Sequence, residues 1–254
     1  MAIRGVLVDI AGVLTDQGKA IHGAVSAIEE LRRAGIPMRL VTNTTSRPRQ
    51  RLLDELFQLG FEFDEAELFT PAGAAVAYLS RHELSPHLLI HPDLNEDFAD
   101  CVEGRNPAVV VGDAGEFFTF DRLNAAFREI CSGAPLLALA MNRTFRDRDG
   151  ELSIDAGAFV HALEYASGSK PVVLGKPALE FFELAARSMG CALPDCAMIG
   201  DDAEADIAGA LKTGVAAAYL VRTGKYREGD ETRFKPVPTA VVADVTEAVE
   251  RMLG

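Results

Sequence analysis

The feature that most restricts what this chain can fold into is a recurring unit. A short apolar run rich in β-branched residues ends on a polar residue, and an amphipathic segment stopped by glycine follows. Ile3 to Asp9 opens the series, with Val25, Ile28 and Leu31 at helical spacing behind it and Gly35 as the stop. The unit returns at Met38 to Thr42 with Arg49 to Leu59 and Gly60, and at Val172 to Leu174 with Ala178 to Met189 and Gly190. It recurs at Ala197 to Ile199 with Ala203 to Lys212 and Gly214; Ala217 to Val221, then Ala240 to Val242 with Val245 to Leu253, close the series. Strands that are apolar throughout, rather than alternating, belong to parallel sheets covered on both faces. The pattern predicts an α/β fold built on a doubly wound, Rossmann-like parallel sheet.

The middle of the chain carries its own set. Helices are expected at Ala72 to Arg81, Asp121 to Cys131 and Ala156 to Ala166, and strands at Leu88 to His91, Ala108 to Gly112 and Leu136 to Ala140. The interval from Asn43 to Lys176 is far longer than the ~30 residues of one βαβ unit. Residues 1–72 and 172–254 are therefore expected to form a core, with residues 73–171 as a second α/β domain inserted into it.

Charge narrows the partners. With 38 acidic against 25 basic residues the formal net charge is −13, the wrong field for nucleic acid or an anionic membrane, whose phosphates need clustered Lys and Arg. Asp9 interrupts the apolar N-terminal stretch, so neither a signal peptide nor a ~20-residue membrane span is expected. Cys101, Cys131, Cys191 and Cys196 show no CxxC pairing or zinc spacing and read as reduced thiols in or near the core. Together these place the chain in the cytoplasm.

In open parallel sheets, ligands bind beyond the carboxyl ends of the strands. Asp9, Thr42-Asn43, Lys176 and Asp201-Asp202 stand at four such ends. Each has an ordinary structural reading: Thr42 and Asp201 as helix caps, Lys176 as a solvated loop cation. As a set they match a phosphoryl group with a divalent metal. Two carboxylates from separate strands suit Mg²⁺, while hydroxyl, amide and ammonium groups meet the oxygens of a transferring phosphoryl group. Spacing alone leaves open whether Asp9 attacks.

Four ordered segments carry a resemblance: Val6-Leu7-Val8-Asp9-Ile10-Ala11-Gly12-Val13-Leu14, Val41-Thr42-Asn43, Gly175-Lys176-Pro177, and Ile199-Gly200-Asp201-Asp202 through Asp206. Their order resembles the four motifs of the haloacid dehalogenase (HAD) superfamily, and the long insert is similar to the C2 cap of its subfamily IIA. The wording of Leu163-Glu164-Tyr165-Ala166 and of Val221-Arg222-Thr223-Gly224-Lys225-Tyr226 is similar to a subgroup acting on P–N and P–O–P bonds.

The resemblance implies Asp9 as nucleophile and metal ligand, the carbonyl of Ala11 and Asp201 as further Mg²⁺ ligands, and Asp202 and Asp206 as supporting carboxylates. It implies that Ile10, Ala11, Thr42, Asn43, Thr44 and Lys176 bind phosphate. The insert becomes a lid whose loop Asn142-Arg143-Thr144 faces the substrate, with room for a homodimer through the cap. Arg143 reads equally as part of a solvated turn with Arg146, Arg148, Asp147 and Asp149.

One position departs from the superfamily. Most of its phosphatases carry Asp two residues after the nucleophile, where it protonates the leaving group; this chain has Ala11, and a methyl group transfers no proton. The expectation is a Mg²⁺-dependent phosphohydrolase working through an aspartyl-phosphate. Its expected substrates are small phosphorylated molecules with good leaving groups: pyrophosphate, phosphoramidates, acyl or aryl phosphates. The alternative is a catalytically weak phosphate-ligand binding or regulatory protein. Phosphonate cleavage through a cap lysine is disfavoured, since residues 73–171 contain only Lys170.

Overall fold

The structure, a computed structural model, describes residues 3–102, 106–146 and 151–254. Two parallel sheets are built from β1 (Gly5–Val8), β2 (Met38–Val41), β3 (Leu68–Phe69), β4 (Ser85–Leu89), β5 (Pro107–Val111), β6 (Leu136–Ala138), β7 (Val172–Val173), β8 (Cys196–Gly200), β9 (Ala217–Val221) and β10 (Ala240–Val242). The chain divides into two compact units, the first comprising Met1–Thr42, Leu52–Phe69 and Lys176–Gly254, the second Asn43–Arg51 and Thr70–Gly175.

In the first unit the strand order is β10-β9-β8-β1-β2-β3, parallel throughout. β1 lies inside the sheet, with Val6 opposite both Ala197 of β8 and Met38 of β2. Val6, Val8, Ile199 and Val221 pack on one face against Ala27, Ile28 and Leu31 of the helix Ala24–Arg33 and Val249 of the helix Val245–Leu253. The intervening Leu7, Met198 and Leu220 are equally buried, so both faces are covered. Removing each such side chain from water stabilises the fold by roughly 1.5–3 kcal/mol. That two-sided burial is why these strands read as unbroken apolar runs.

The second unit repeats the device with the order β7-β6-β5-β4. Ala108 and Val110 of β5 face the helix Pro71–Arg81 through Ala75 and Leu79, whereas Val109 and Val111 face Ala126, Ile130, Val160 and Leu163. Thr70 caps its helix by accepting from Gly73 N–H at 3.1 Å, with Pro71 at the first helical position.

Several elements differ from the sequence-based expectation. The strand at Val172 was expected in the core series, but β7 pairs with Leu137 and Ala138 in the second sheet. A two-residue apolar run holds too little pattern to choose its sheet. The segment after β8, expected to be an ordinary helix, is a π-helix over Ala203–Ala208 running into a single α-turn, Gly209–Lys212. Two antiparallel pairs went unforeseen: Thr15–Asp16 with Lys19–Ala20, and Thr144–Arg146 with Leu152–Ile154. All four cysteines are free, Cys191 and Cys196 buried, Cys101 half-buried and Cys131 exposed. Among the described residues no helix is long and apolar enough to cross a membrane.

Candidate active site

Asp9 is the first residue beyond β1, where its N–H still continues the ladder to Ile199 O at 2.9 Å. At the end of the neighbouring β8, Gly200 precedes Asp201. A side chain at Gly200 would overlap the Asp206 carboxylate, so glycine is what allows the next turn to close over the strand end. Asp202 caps that turn, its Oδ1 accepting from Glu204 and Ala205 N–H at 3.0 Å each. Both Asp206 N–H and Ile207 N–H return to Asp202 O, the wider winding that defines a π-turn and that recurs at functional sites.

The result is a buried cluster. Asp9, Asp201 and Asp206 each offer a carboxylate oxygen, and these atoms lie within 4.8 Å of one another. Their exposures are 6%, 3% and 1%, and that of Lys176 is 4%. Lys176 Nζ donates to Asp9 Oδ1 at 2.5 Å and to Val41 O at the end of β2 at 3.1 Å. It also lies 2.7 Å from Asp206 Oδ1, close enough for an ion pair but not aligned as a hydrogen bond. One ammonium thus stands among three carboxylates.

The imbalance shows in the acidities. Burial, then the charges of Asp9 and Asp206, push the Asp201 carboxyl up to about 8. Burial also lifts Asp206 to about 7, with Asp9 and Asp202 adding to it, although Lys176 pulls the other way. Burial alone would lower the Lys176 pKa, but the charges of Asp206 and Asp9 outweigh it and hold the ammonium above the ordinary lysine value.

This donor set fits a hard divalent cation. Such ions take carboxylate oxygens, and among the described residues Asp201 Oδ1 is buried with no hydrogen-bond partner. A cation there would supply the positive charge that the cluster lacks.

A pH dependence follows. Carboxyls whose folded pKa lies above the unfolded value stabilise the fold at low pH and lose that contribution as pH rises through about 7 to 8. The cation-free protein is therefore expected to melt lower at pH 8.5 than at pH 6, and added Mg²⁺ to raise the midpoint more at pH 8.5. The expected difference between the two Mg²⁺ shifts is about 2–4 °C per 1 kcal/mol of linkage. Melting curves with and without Mg²⁺ measure it, and equal shifts at both pH values would count against a cation at this cluster.

Other expected residues lie as follows. Ile10 is buried and its carbonyl accepts from Leu14 and Thr15 N–H at 2.9 and 3.0 Å, forming a tight loop in which exposed Ala11 bridges to Thr15. Thr42 is buried at the end of β2, its N–H on Phe69 O. Asn43 and Thr44 group with the second unit. There, a side chain at Gly175 would stand 2.7 Å from Asn43 Oδ1. Thr45 Oγ1 accepts from Asp113 N–H and Asp97 accepts from Arg49 N–H, which tie the segment Asn43–Arg51 into that unit. Arg143 is exposed at the start of an antiparallel pair, its carbonyl accepting from Asp155 N–H at 3.1 Å. Asp147, Arg148 and Asp149 lie outside the described residues.

The segment after β9 was noted for its wording but assigned no site role, yet it touches the site. Lys225 N–H donates to Asp201 Oδ2 at 2.8 Å, and Lys225 Nζ lies 3.3 Å from Asp202 Oδ2. That ammonium, with the Ala205 and Glu204 N–H groups, holds the Asp202 carboxyl below its ordinary value against the effect of burial. The available signal was the run Val221-Arg222-Thr223-Gly224-Lys225-Tyr226, a strand end followed by a glycine and a lysine.

A parallel α/β sheet with an Asp–Lys–Asp cluster beyond its strand ends is a site suited to phosphoryl chemistry. Residues 6–105 match the family model described as haloacid dehalogenase-like hydrolase, and residues 173–248 a second one described as HAD-hydrolase-like. The chain is 40% identical to the human haloacid dehalogenase-like hydrolase domain-containing protein 2, over 99% of this chain and 96% of that protein. It is 39% identical to the human phospholysine phosphohistidine inorganic pyrophosphate phosphatase, over 99% and 94%. Its fold superposes on NagD from E. coli K-12 with a TM-score of 0.86 at 25% identity, over 97% of this chain and 98% of that one. The chain belongs to the haloacid dehalogenase-like hydrolase family.

Proposed function

We propose that this protein is a cytoplasmic Mg²⁺-dependent phosphohydrolase in which Asp9 attacks phosphorus. The observation that carries the reading is the buried cluster that Lys176 and Asp206 form with Asp9 and Asp201 beyond the ends of two adjoining strands. Asp9, Asp201 and the Ala11 carbonyl would hold the cation, with Asp206 supporting Lys176; when bound, the ion would supply charge stabilisation for the phosphoryl oxygens. The Lys176 ammonium donates to Asp9 Oδ1 and orients it. Asp9 forms an O–P bond as the bond to the leaving group breaks, giving an aspartyl-phosphate. Water then attacks phosphorus and the O–P bond of this acyl phosphate breaks, returning the Asp9 carboxylate and inorganic phosphate, with the water's proton released to solvent. Thr42 contributes a hydroxyl at the same strand end and Asn43 is assigned an amide role from its place directly after Thr42 in the sequence, while Ile10, Thr44 and Arg143 enter through the family resemblance alone. Residues 73–171 are assigned the role of a C2 cap on the same ground.

Ala11 narrows the substrates. With no proton to give, it forfeits the ~10²–10⁴-fold that general acid–base help supplies, so the leaving group must depart unaided. Phosphoramidates, acyl phosphates, pyrophosphate and aryl phosphates meet that condition, and the name of the human pyrophosphate phosphatase relative agrees with it. Ala11 also favours a second reading, a phosphate-ligand binding protein of little activity.

A phosphate-release screen with and without Mg²⁺ separates the two. Release from pyrophosphate and a phosphoramidate is expected, with alkyl esters slow. Ala11→Asp is expected to speed alkyl-ester hydrolysis by ~10²-fold or more. Binding of phosphorylated compounds with no release from any class would establish the binder instead.

A further inference from the structure

The cluster is gripped by a segment that contributes no side chain to it. Asp201 Oδ2 accepts the Lys225 N–H at 2.8 Å, whereas Oδ1 is buried without a hydrogen-bond partner among the described residues. One oxygen is therefore committed and the other is left as the acceptor. Against the committed oxygen stand Gly12 (φ 81°) and Gly224 (φ 67°), next to each other. A side chain at either position would overlap the Asp201 carboxylate, and one at Gly224 would also meet the Gly12 backbone. The two loops are joined by Thr223 Oγ1, which donates to Gly12 O at 2.5 Å. That bond ties the turn after β9 to the loop that leaves β1 and carries Ala11.

We propose that Thr223-Gly224-Lys225 is a positioning device that sets the cation affinity of this chain by fixing the rotation of the Asp201 carboxylate. The segment does so without touching the ion. The proposal rests on the reading of Asp201 as a cation ligand and extends it to residues with no ligand chemistry of their own. A carboxylate free to turn would spend part of its time with both oxygens engaged elsewhere. Fixing one oxygen to a backbone N–H, with no room to swing, leaves the ligand orientation already formed before the ion arrives.

The device acts through hydrogen bonds and close packing, so Thr223 is the residue to change. Thr223→Val keeps the shape and removes the donor, while Thr223→Ser restores it. Gly224→Ala inserts a methyl group against Asp201. Mg²⁺ affinity measured by calorimetry on the full chain is the readout, with Asp201→Asn as reference and the melting point of the cation-free protein as the control on folding. Loss of a residue that orients a metal ligand typically weakens metal binding by ~10–100-fold. A weakening in that range is expected for Thr223→Val, with recovery to within about 3-fold in Thr223→Ser. The cation-free melting point is expected to be unchanged in both.

Wild-type affinity in Thr223→Val, with Asp201→Asn deficient, would overturn the positioning role and leave the active-site reading intact. Loss of affinity in Thr223→Val that Ser does not restore would also overturn it. No Mg²⁺ binding by the wild type, or full binding by Asp201→Asn, would overturn both.

Discussion

Replacing Asp9 by Asn is expected to abolish turnover of pyrophosphate and p-nitrophenyl phosphate, lowering kcat by ~10⁴–10⁶-fold, the usual cost of removing a nucleophile. The amide is nearly isosteric but does not attack phosphorus. Lys176 keeps its contacts to Val41 O and Asp206, so the ammonium is not stranded. Asp9 is also one of the charges that push the Asp201 carboxyl up to about 8, and its neutralisation relieves that repulsion. The variant is therefore expected to melt no lower than the wild type at pH 8 while being inactive. Steady-state kinetics with melting curves check both halves, and a rate within tenfold of wild type would mean that another group attacks.

Lys176→Met is expected to combine loss of activity with a large, pH-dependent loss of stability. The ammonium is buried and paired with both Asp9 and Asp206, and removing one partner of a buried ion pair typically costs about 3–5 kcal/mol because a charge is left uncompensated. Here the carboxyls have an escape. Asp206 already stands at about 7, held down by Lys176, and without the lysine it rises further and takes up a proton at neutral pH. Carboxyls raised in this way stabilise below their unfolded pKa and lose the contribution as pH rises. The deficit relative to wild type should therefore be small near pH 5 and approach the full range above pH 8. Urea titrations at the two pH values measure it; a deficit independent of pH would mean that Lys176 acts through packing rather than charge. Mg²⁺ is expected to recover part of the loss, because the ion brings positive charge to the same carboxylates.

Much of the core was legible because its strands are buried on both faces. Val6, Leu7 and Val8, or Ala197, Met198 and Ile199, have no solvent side on which a polar residue would be tolerated, so each strand declares itself as an apolar run. A polar residue directly after such a run marks the strand end, and Asp9, Thr42 and Asp201 were recognisable for that reason. Lys176 was found by the same rule for the wrong cause: the strand before it, Val172–Val173, belongs to the other sheet. The lysine reaches the cluster from the segment that follows, not from a core strand. The π-turn was invisible, since Ala203-Glu204-Ala205-Asp206 is as good a helical sequence as any. Only the closure of that turn over Gly200 brings Asp206 beside Lys176.

Local sequence was enough to specify that this chain forms parallel α/β sheets, that carboxylates stand at strand ends, and that the position two residues after Asp9 has no proton to donate. Those properties are local: apolar runs, their terminating residues, and the chemistry of single side chains. The tertiary structure alone decided which charges meet. Lys176 and Asp9 are 167 residues apart along the chain, and Lys225 reaches Asp201 across 24. No periodicity encodes such pairings. They arise when the order of strands in the sheet sets the ends of β1, β2 and β8 side by side, and the burial that follows raises the acidities and leaves one oxygen of Asp201 without a partner.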